Sequence, residues 1–234
     1  MTPFHDRRQA GRVLGRALSQ LELAGRDDVL VLGLPRSGVP VAYEVARALR
    51  APLDVFVVRK LGVPGHEELA FGAIASGGIR LLDQEFVSGL GIPPRTIEAV
   101  TAREQRELAR RERAYRGSRL PLEAAGRTVV LVDDGLATGS TMRAAVAGLR
   151  EAWPERIVAA VPIAASATCQ QLAAEVDDLV CAVTPEPFRA VGLWYEDFLP
   201  VDDDEVRELL ALARKERRAR GLGGREAAAV PPAP

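Results

Sequence analysis

The sequence predicts an α/β protein with a parallel sheet flanked by helices, a small appended lobe and a flexible loop or hairpin. Three observations predict it. Strand-like and helix-like segments alternate along most of the chain, which is the rhythm of strand–crossover–strand units with right-handed connections. Two stretches, 28–34 (DVLVLGL) and 129–132 (VVLV), are almost wholly apolar, as strands covered on both faces require. Each is followed by glycine and polar residues, at the carboxyl end where open α/β sheets bind ligands.

In chain order, Val13, Leu14, Leu18 and Leu21 fall close to a helical stripe and predict a helix over 7–23. A strand at 28–34, a helix at 39–49 and a second strand at 53–58 follow. Residues 70–82 contain Gly72 and the Gly77-Gly78 pair, predicting two short strands joined by a turn, a hairpin beside the sheet. The stretch 94–116 is dense in Arg and Glu, with sparse apolar positions at Ile97, Val100 and Leu108. That pattern predicts a long helix with one narrow buried stripe, its charge run being a solvated face. The alternation resumes with a strand at 128–132, a helix at 140–153, a strand at 157–163, a helix at 167–175 and a strand at 179–183. After Pro185 it breaks into an irregular segment, PEPFRAVGLWYEDF, and then a helix capped within 202–204. The small, Pro-rich 221–234 reads as a flexible tail.

At 234 residues the chain can bury one good-sized core, so a single domain over 1–220 is expected. A net charge of -1 and a pI of about 6.2 give no support to a nucleic-acid or membrane partner, and no apolar stretch approaches the length of a spanning helix. The amino terminus, MTPFHDRRQAGR, is polar and lacks a signal-peptide core, so a soluble, cytoplasmic protein is expected. Cys169 and Cys181 have no metal-ligand spacing and are expected to fill small apolar gaps rather than form a disulfide. Lysine occurs only at Lys60 and Lys215, which makes Lys60 a rare choice in this chain.

The chemistry concentrates where the strand at 128–132 ends. Asp133 and Asp134 stand at its carboxyl end, and Gly135, Leu136, Ala137, Thr138, Gly139, Ser140 and Thr141 follow. Closely spaced backbone N–H groups and the hydroxyls of Thr138, Ser140 and Thr141 then lie at the positive end of the next helix, a setting suited to a phosphate monoester. An ordinary capped turn needs only one of these residues. A Walker A loop is excluded, since its Lys is missing and the glycines are wrongly spaced. The acidic pair followed by Ala-Thr-Gly-Ser-Thr resembles the phosphoribosyl pyrophosphate (PRPP) motif of type I phosphoribosyltransferases.

The resemblance covers about 28–183 and implies that family's parallel sheet with a hood lobe over about 184–220, the N-terminal helix being a candidate addition to it. It implies that Gly135 to Thr141 cradle the 5-phosphate. Asp133 and Asp134 would hold the ribose hydroxyls, directly or through Mg²⁺-bound water, and Mg²⁺ is the implied cofactor. The loop GLPRSG, at the end of the first strand, gathers Pro35, Arg36, Ser37 and Gly38. On its own it reads either as an anion site or as a plain loop capped by Ser37; in the resembled family the equivalent loop holds pyrophosphate, often through a cis peptide, for which the bond entering Arg36 is the candidate. The implied partners are PRPP and a nitrogenous base, in a homo-oligomer, as a dimer.

Arg59, Lys60 and His66 lie in VRKLGVPGHEELAFG, which resembles the mobile catalytic loop of orotate phosphoribosyltransferases. Such a lid would neutralise charge on departing pyrophosphate and exclude water; a solvated strand end with a surface histidine is the alternative. Phe188, Trp194 and Tyr195 hold much of the scarce aromatic content. They either line a pocket for a flat base or pack the lobe internally. Ala137 stands where hypoxanthine-guanine enzymes usually place an aspartate that accepts a purine proton, which weakens the case for a 6-oxopurine acceptor. Two further classes stay open: a PRPP-sensing regulator without turnover, and a phosphohydrolase or other nucleotide-binding protein using the same loops.

Overall fold

The computed structural model describes residues 4–121 and 123–221. The expected tail, Gly221 apart, lies outside the described residues.

Helix α1 is Arg7–Leu18, continued by a short 3-10 turn. Asp6 caps it, accepting from the Gln9 N–H at 2.6 Å, and so satisfies one of the donors every helix start leaves unpaired. Strand β1 (Val29–Gly33), helix α2 (Gly38–Leu49) and strand β2 (Leu53–Val55) follow. Three antiparallel strands come next, β3 (Val58–Val63), β4 (His66–Ala75) and β5 (Ile79–Leu82). Then come helix α3 (Gln84–Gly89), the long helix α4 (Pro94–Arg116) and strand β6 (Thr128–Val132). Helix α5 (Ser140–Arg150), strand β7 (Arg156–Ile163), helix α6 (Ser166–Ala173), strand β8 (Asp178–Val183) and helix α7 (Asp203–Ala219) complete the order.

The main sheet runs β2-β1-β6-β7-β8 with every pairing parallel. From β1 the chain winds outward to β2, whereas from β6 it winds the other way through β7 to β8. The reversal falls between β1 and β6, which pair from Val29↔Thr128 to Gly33↔Val132. Loops leaving such a pair diverge and open a crevice above the strand ends.

Strand periodicity divides the core in two. Val29 and Val31 of β1, with Val130 and Val132 of β6, pack among α2 and α7 residues such as Val45 and Leu209. Leu30, Leu32, Val129 and Leu131 face the other way, onto Met142, Leu149 and Leu172 of α5 and α6. Full burial of each such side chain contributes about 1.5–3 kcal/mol. That depth of packing on both faces explains why these runs carry no polar residue. Helix α7 seals one flank: Tyr43 donates its hydroxyl to Glu216 at 2.8 Å and Tyr115 to Asp203 at 2.9 Å.

The segment 58–72 is built as a hairpin: β3 and β4 pair from Val58↔Ala75 to Val63↔His66 around a Pro64-Gly65 turn, and β5 adds a third strand; two expectations are corrected beside it. Pro followed by Gly suits a tight turn, and the ladder satisfies backbone that a loose lid would leave to water. The expected strand 53–58 is split, Val55 ending β2 and Val58 opening β3. Cys169 of α6 and Cys181 of β8 are joined as a disulfide, because the crossover lays α6 over β8 and brings together residues separated by 12 in sequence. The short helix α3, capped by Asp83 on the Phe86 N–H, has no signal in the sequence, since six residues cannot display a helical stripe. Among the described residues no helix is long and apolar enough to cross a membrane.

Candidate functional site

The neighbouring carboxyl ends of β1 and β6 bring both motif loops together. Leu34 still donates to Val132 O at 2.9 Å as it leaves β1. The chain then turns through a cis peptide between Pro35 and Arg36 and enters α2 at Gly38. A Cβ at Gly38 would stand 2.8 Å from Val132 O and 2.9 Å from the Asp133 Cα, so the absence of a side chain there lets the two loops touch. Gly38 thus lies against Asp133, and Ser37 hydrogen-bonds Asp134.

On the β6 side, the Leu136 N–H donates to Ile163 O at 2.9 Å and the Ala165 N–H to Leu136 O at 3.0 Å, tying the loop to the end of β7. Gly139 takes a left-handed φ of 71° before α5 begins. The Thr168 hydroxyl, from α6, donates to Ala137 O at 2.6 Å. Thr138 donates to the Ser140 hydroxyl at 3.2 Å. With Thr141 in the first turn, the N-terminus of α5 presents hydroxyls and backbone N–H groups in one place, at the positive end of the helix.

Asp133 and Asp134 are held differently. Asp133 Oδ1 accepts the Asp134 N–H at 2.9 Å. Asp134 is buried and accepts from Arg7 Nε at 3.0 Å, while its backbone oxygen accepts the Tyr195 hydroxyl at 2.6 Å. Burial pushes the Asp133 carboxyl well above the ordinary range, and repulsion from Asp134 adds to it. Burial raises Asp134 too, opposed by Arg7 and by a hydrogen bond from Ser37. A carboxylate pair held in this way favours any cation that approaches.

The remaining candidates divide. Lys60 reaches the site, its Nζ donating to Ser140 Oγ at 2.6 Å. Arg59, its neighbour on β3, points to the opposite face and binds Glu104 of α4 at 2.8 Å through Nε. His66 is exposed at the hairpin tip, 3.7 Å from Glu68. Tyr195 is buried, stacked on Phe198 at 5.1 Å and near Phe4 at 5.6 Å. Phe188 and Trp194 pack beside it with Val183 and Val191. Tyr195 lies in the interior of the lobe and the half-buried Phe188 and Trp194 pack against it, and the N-terminus joins through a parallel bridge between Phe4 and Tyr195.

Two residues at the site carried no signal in the sequence. Arg7 sits in an arginine-rich helix start, indistinguishable there from solvated neighbours, and Thr168 lies in a helix with no motif. Only the fold brings them to the loops.

Comparison with known proteins shows the family. A family model described as the phosphoribosyl transferase domain matches residues 2–187. A protein of Mycobacterium tuberculosis strain H37Rv, provisionally named a phosphoribosyl transferase, is 45% identical over 232 residues, 99% of this chain and 51% of that protein. The chain therefore spans about half the length of the curated relatives it matches first. A protein of Chloroflexus aurantiacus named bifunctional protein PyrR is 34% identical over 131 residues, 55% of this chain and 66% of that protein. The crystal structure of TT1426 from Thermus thermophilus is similar with a TM-score of 0.79 and 42% identity, covering 90% of this chain and 98% of that one. By motif, sheet and sequence, the chain belongs to the phosphoribosyl transferase domain family.

Proposed function

We propose that this protein is a phosphoribosyltransferase that binds PRPP with Mg²⁺ and transfers its 5-phosphoribosyl group to a ring nitrogen of a base. The bond from the anomeric carbon to pyrophosphate breaks as the bond to nitrogen forms. The observation that carries the reading is the contact of Gly38 with Asp133, which sets two anion-binding loops on either side of an acidic pair. A sugar bearing phosphate at one end and diphosphate at the other matches that spacing of charge.

In this reading Gly135 to Thr141 receive the 5-phosphate at the α5 N-terminus, with Lys60 beside Ser140 adding positive charge. Pro35 to Gly38 receive the pyrophosphate, and Arg36 supplies the cation there. The acidic pair faces the ribose. Asp134 is balanced by Arg7, whereas Asp133 has no bonded cation among the described residues, which favours the positive charge that develops on the sugar as pyrophosphate leaves.

The donor set suits magnesium. Among the described residues no three or more His, Cys, Asp or Glu side chains converge, so the protein offers no closed cage, and Mg²⁺ is commonly held by one or two carboxylates with substrate phosphates and water. Asp133 and Asp134 are the residues to hold it. When bound, the ion would neutralise diphosphate charge and help orient the sugar. We assign the acceptor to no particular base, since Phe188, Trp194 and Tyr195 are occupied in packing the lobe. A dimer in the cytoplasm is the working assembly.

Binding of PRPP without turnover is a second reading, favoured by the placement of Arg59 and His66 away from the loops. Calorimetric titration with PRPP, with and without Mg²⁺ and against ribose 5-phosphate, tests the site. Metal-dependent binding that falls sharply without the diphosphate is expected, and its absence overturns both readings. Pyrophosphate release on adding purine and pyrimidine bases then separates transferase from sensor.

A further inference from the structure

The two carboxylates of the motif do not have equivalent surroundings, and the difference comes from the N-terminal helix. Arg7 is buried and gives Nε to Asp134 Oδ2 at 3.0 Å, both side chains being about nine-tenths enclosed. Its Nη1 donates to Leu199 O at 2.8 Å, and its guanidinium lies 4.0 Å from the centre of the Phe198 ring. The main chain of Asp134 is gripped as well, its oxygen accepting the Tyr195 hydroxyl at 2.6 Å. One residue of the loop is thus fastened to α1 and to the lobe at 188–199 at once. Asp133 has no cation bonded to it among the described residues; its carboxylate accepts the N–H of Asp134, and it borders Gly38 of the pyrophosphate loop.

We infer that Arg7 is a positioning residue that divides the work of the acidic pair: it keeps Asp134 as the anchor of the lobe and leaves Asp133 as the carboxylate that meets the metal-bearing sugar. The inference rests on the proposed function and refines it. An arginine fits the task because its planar fork can bind a carboxylate, a carbonyl oxygen and an aromatic face together, which a lysine ammonium cannot reproduce. The enclosure also matters, since a buried ion pair is costly to break from either side.

The test uses the whole chain and two readouts. PRPP is titrated with and without Mg²⁺ into the unaltered protein, Asp133→Asn and Asp134→Asn. The expected result is that Asp133→Asn removes the effect of the metal on PRPP affinity, whereas Asp134→Asn weakens binding yet keeps that effect. Equal loss of metal dependence in both, or loss in Asp134→Asn alone, overturns the division. Thermal unfolding without ligand then compares Arg7→Met, Asp134→Asn and the double variant. Arg7→Met should lower Tm, and adding Asp134→Asn should restore most of the loss, because no buried carboxylate is left unpaired. Additive effects on Tm overturn the role of Arg7. If the unaltered chain binds no PRPP, the phosphoribosyl reading fails with the Asp133 assignment, and the thermal cycle alone decides whether Arg7 anchors Asp134.

Discussion

Lys60 Nζ donates to Ser140 Oγ at 2.6 Å, joining residues 80 apart in sequence. The antiparallel sheet is thereby tied to the loop and helix start that follow β6 of the parallel one. Lys60 therefore stands next to the start of α5, the end of the site where we propose the 5-phosphate binds. Its expected effect follows from that position. Lys60→Met should weaken PRPP and ribose 5-phosphate alike, by about tenfold or more, since a hydrogen bond to a charged group contributes about 1.5–3 kcal/mol. Calorimetry with both ligands checks it. A loss confined to PRPP would move Lys60 to the diphosphate.

Gly38 allows the two loops to meet. Gly38→Ala would place a methyl group 2.8 Å from Val132 O and 2.9 Å from the Asp133 Cα, against backbone that cannot rotate away. Overpacking of this kind typically costs about 1–3 kcal/mol. We expect a lower Tm and a larger proportional loss of PRPP binding, because the displaced atoms are those of the site. Unchanged affinity in a well-folded variant would show that the loop contact is not needed for the ligand.

The acidic pair sets a dependence on pH. Burial raises both carboxyls above their unfolded value of about 3.9, and Asp134 pushes Asp133 further. Such a group stabilises the fold fully below its unfolded pKa, and that contribution is lost as pH rises through the folded pKa. Near neutral pH the raised carboxyls therefore cost the unliganded protein stability that it keeps in acid. Asp133→Asn, which keeps an oxygen for the Asp134 N–H, should raise Tm near pH 7 and give little or no gain near pH 4. Unfolding curves at the two pH values decide it; a gain equal at both would have some cause other than charge.

Arg59 is held by Glu104, a buried carboxylate that also meets Arg103 at 2.9 Å. Arg59→Gln is expected to lower stability, since it removes a partner from a buried charge, and to leave PRPP affinity and turnover close to those of the unaltered chain. Melting and steady-state kinetics on one preparation separate the two effects. A fall in kcat with affinity intact would return Arg59 to the chemistry through a movement of the hairpin.

Much of the site was legible because its signals are local. Asp133 to Thr141 is one continuous stretch, and a buried strand followed by hydroxyls, glycine and a helix start needs no distant partner to be recognised. The GLPRSG loop was legible for the same reason, and the structure puts the cis peptide at the bond entering Arg36. The segment around His66 is ambiguous in the sequence because glycine and proline mark tight hairpins as well as open loops; the pairing of Val63 with His66 makes it a hairpin. The aromatic segment was open for a related cause. Whether Tyr195 lines a pocket or fills a core depends on what covers it, here Phe4 and Phe198.

The sequence by itself determined the alternation of strands and helices, the two apolar runs that must be buried on both faces, and the order of acidic pair, small-residue turn and helix start. Those features are written in neighbouring residues, and periodicity or spacing reveals them. The tertiary structure alone decided that β1 and β6 lie side by side, that Lys60 rather than Arg59 turns to Ser140, that Thr168 props the loop at Ala137, and that Arg7 reaches Asp134. These contacts join segments 31 to 127 residues apart. Their existence depends on strand order and on which way each pleat faces, and a one-residue change of register would turn every side chain of a strand to the other face.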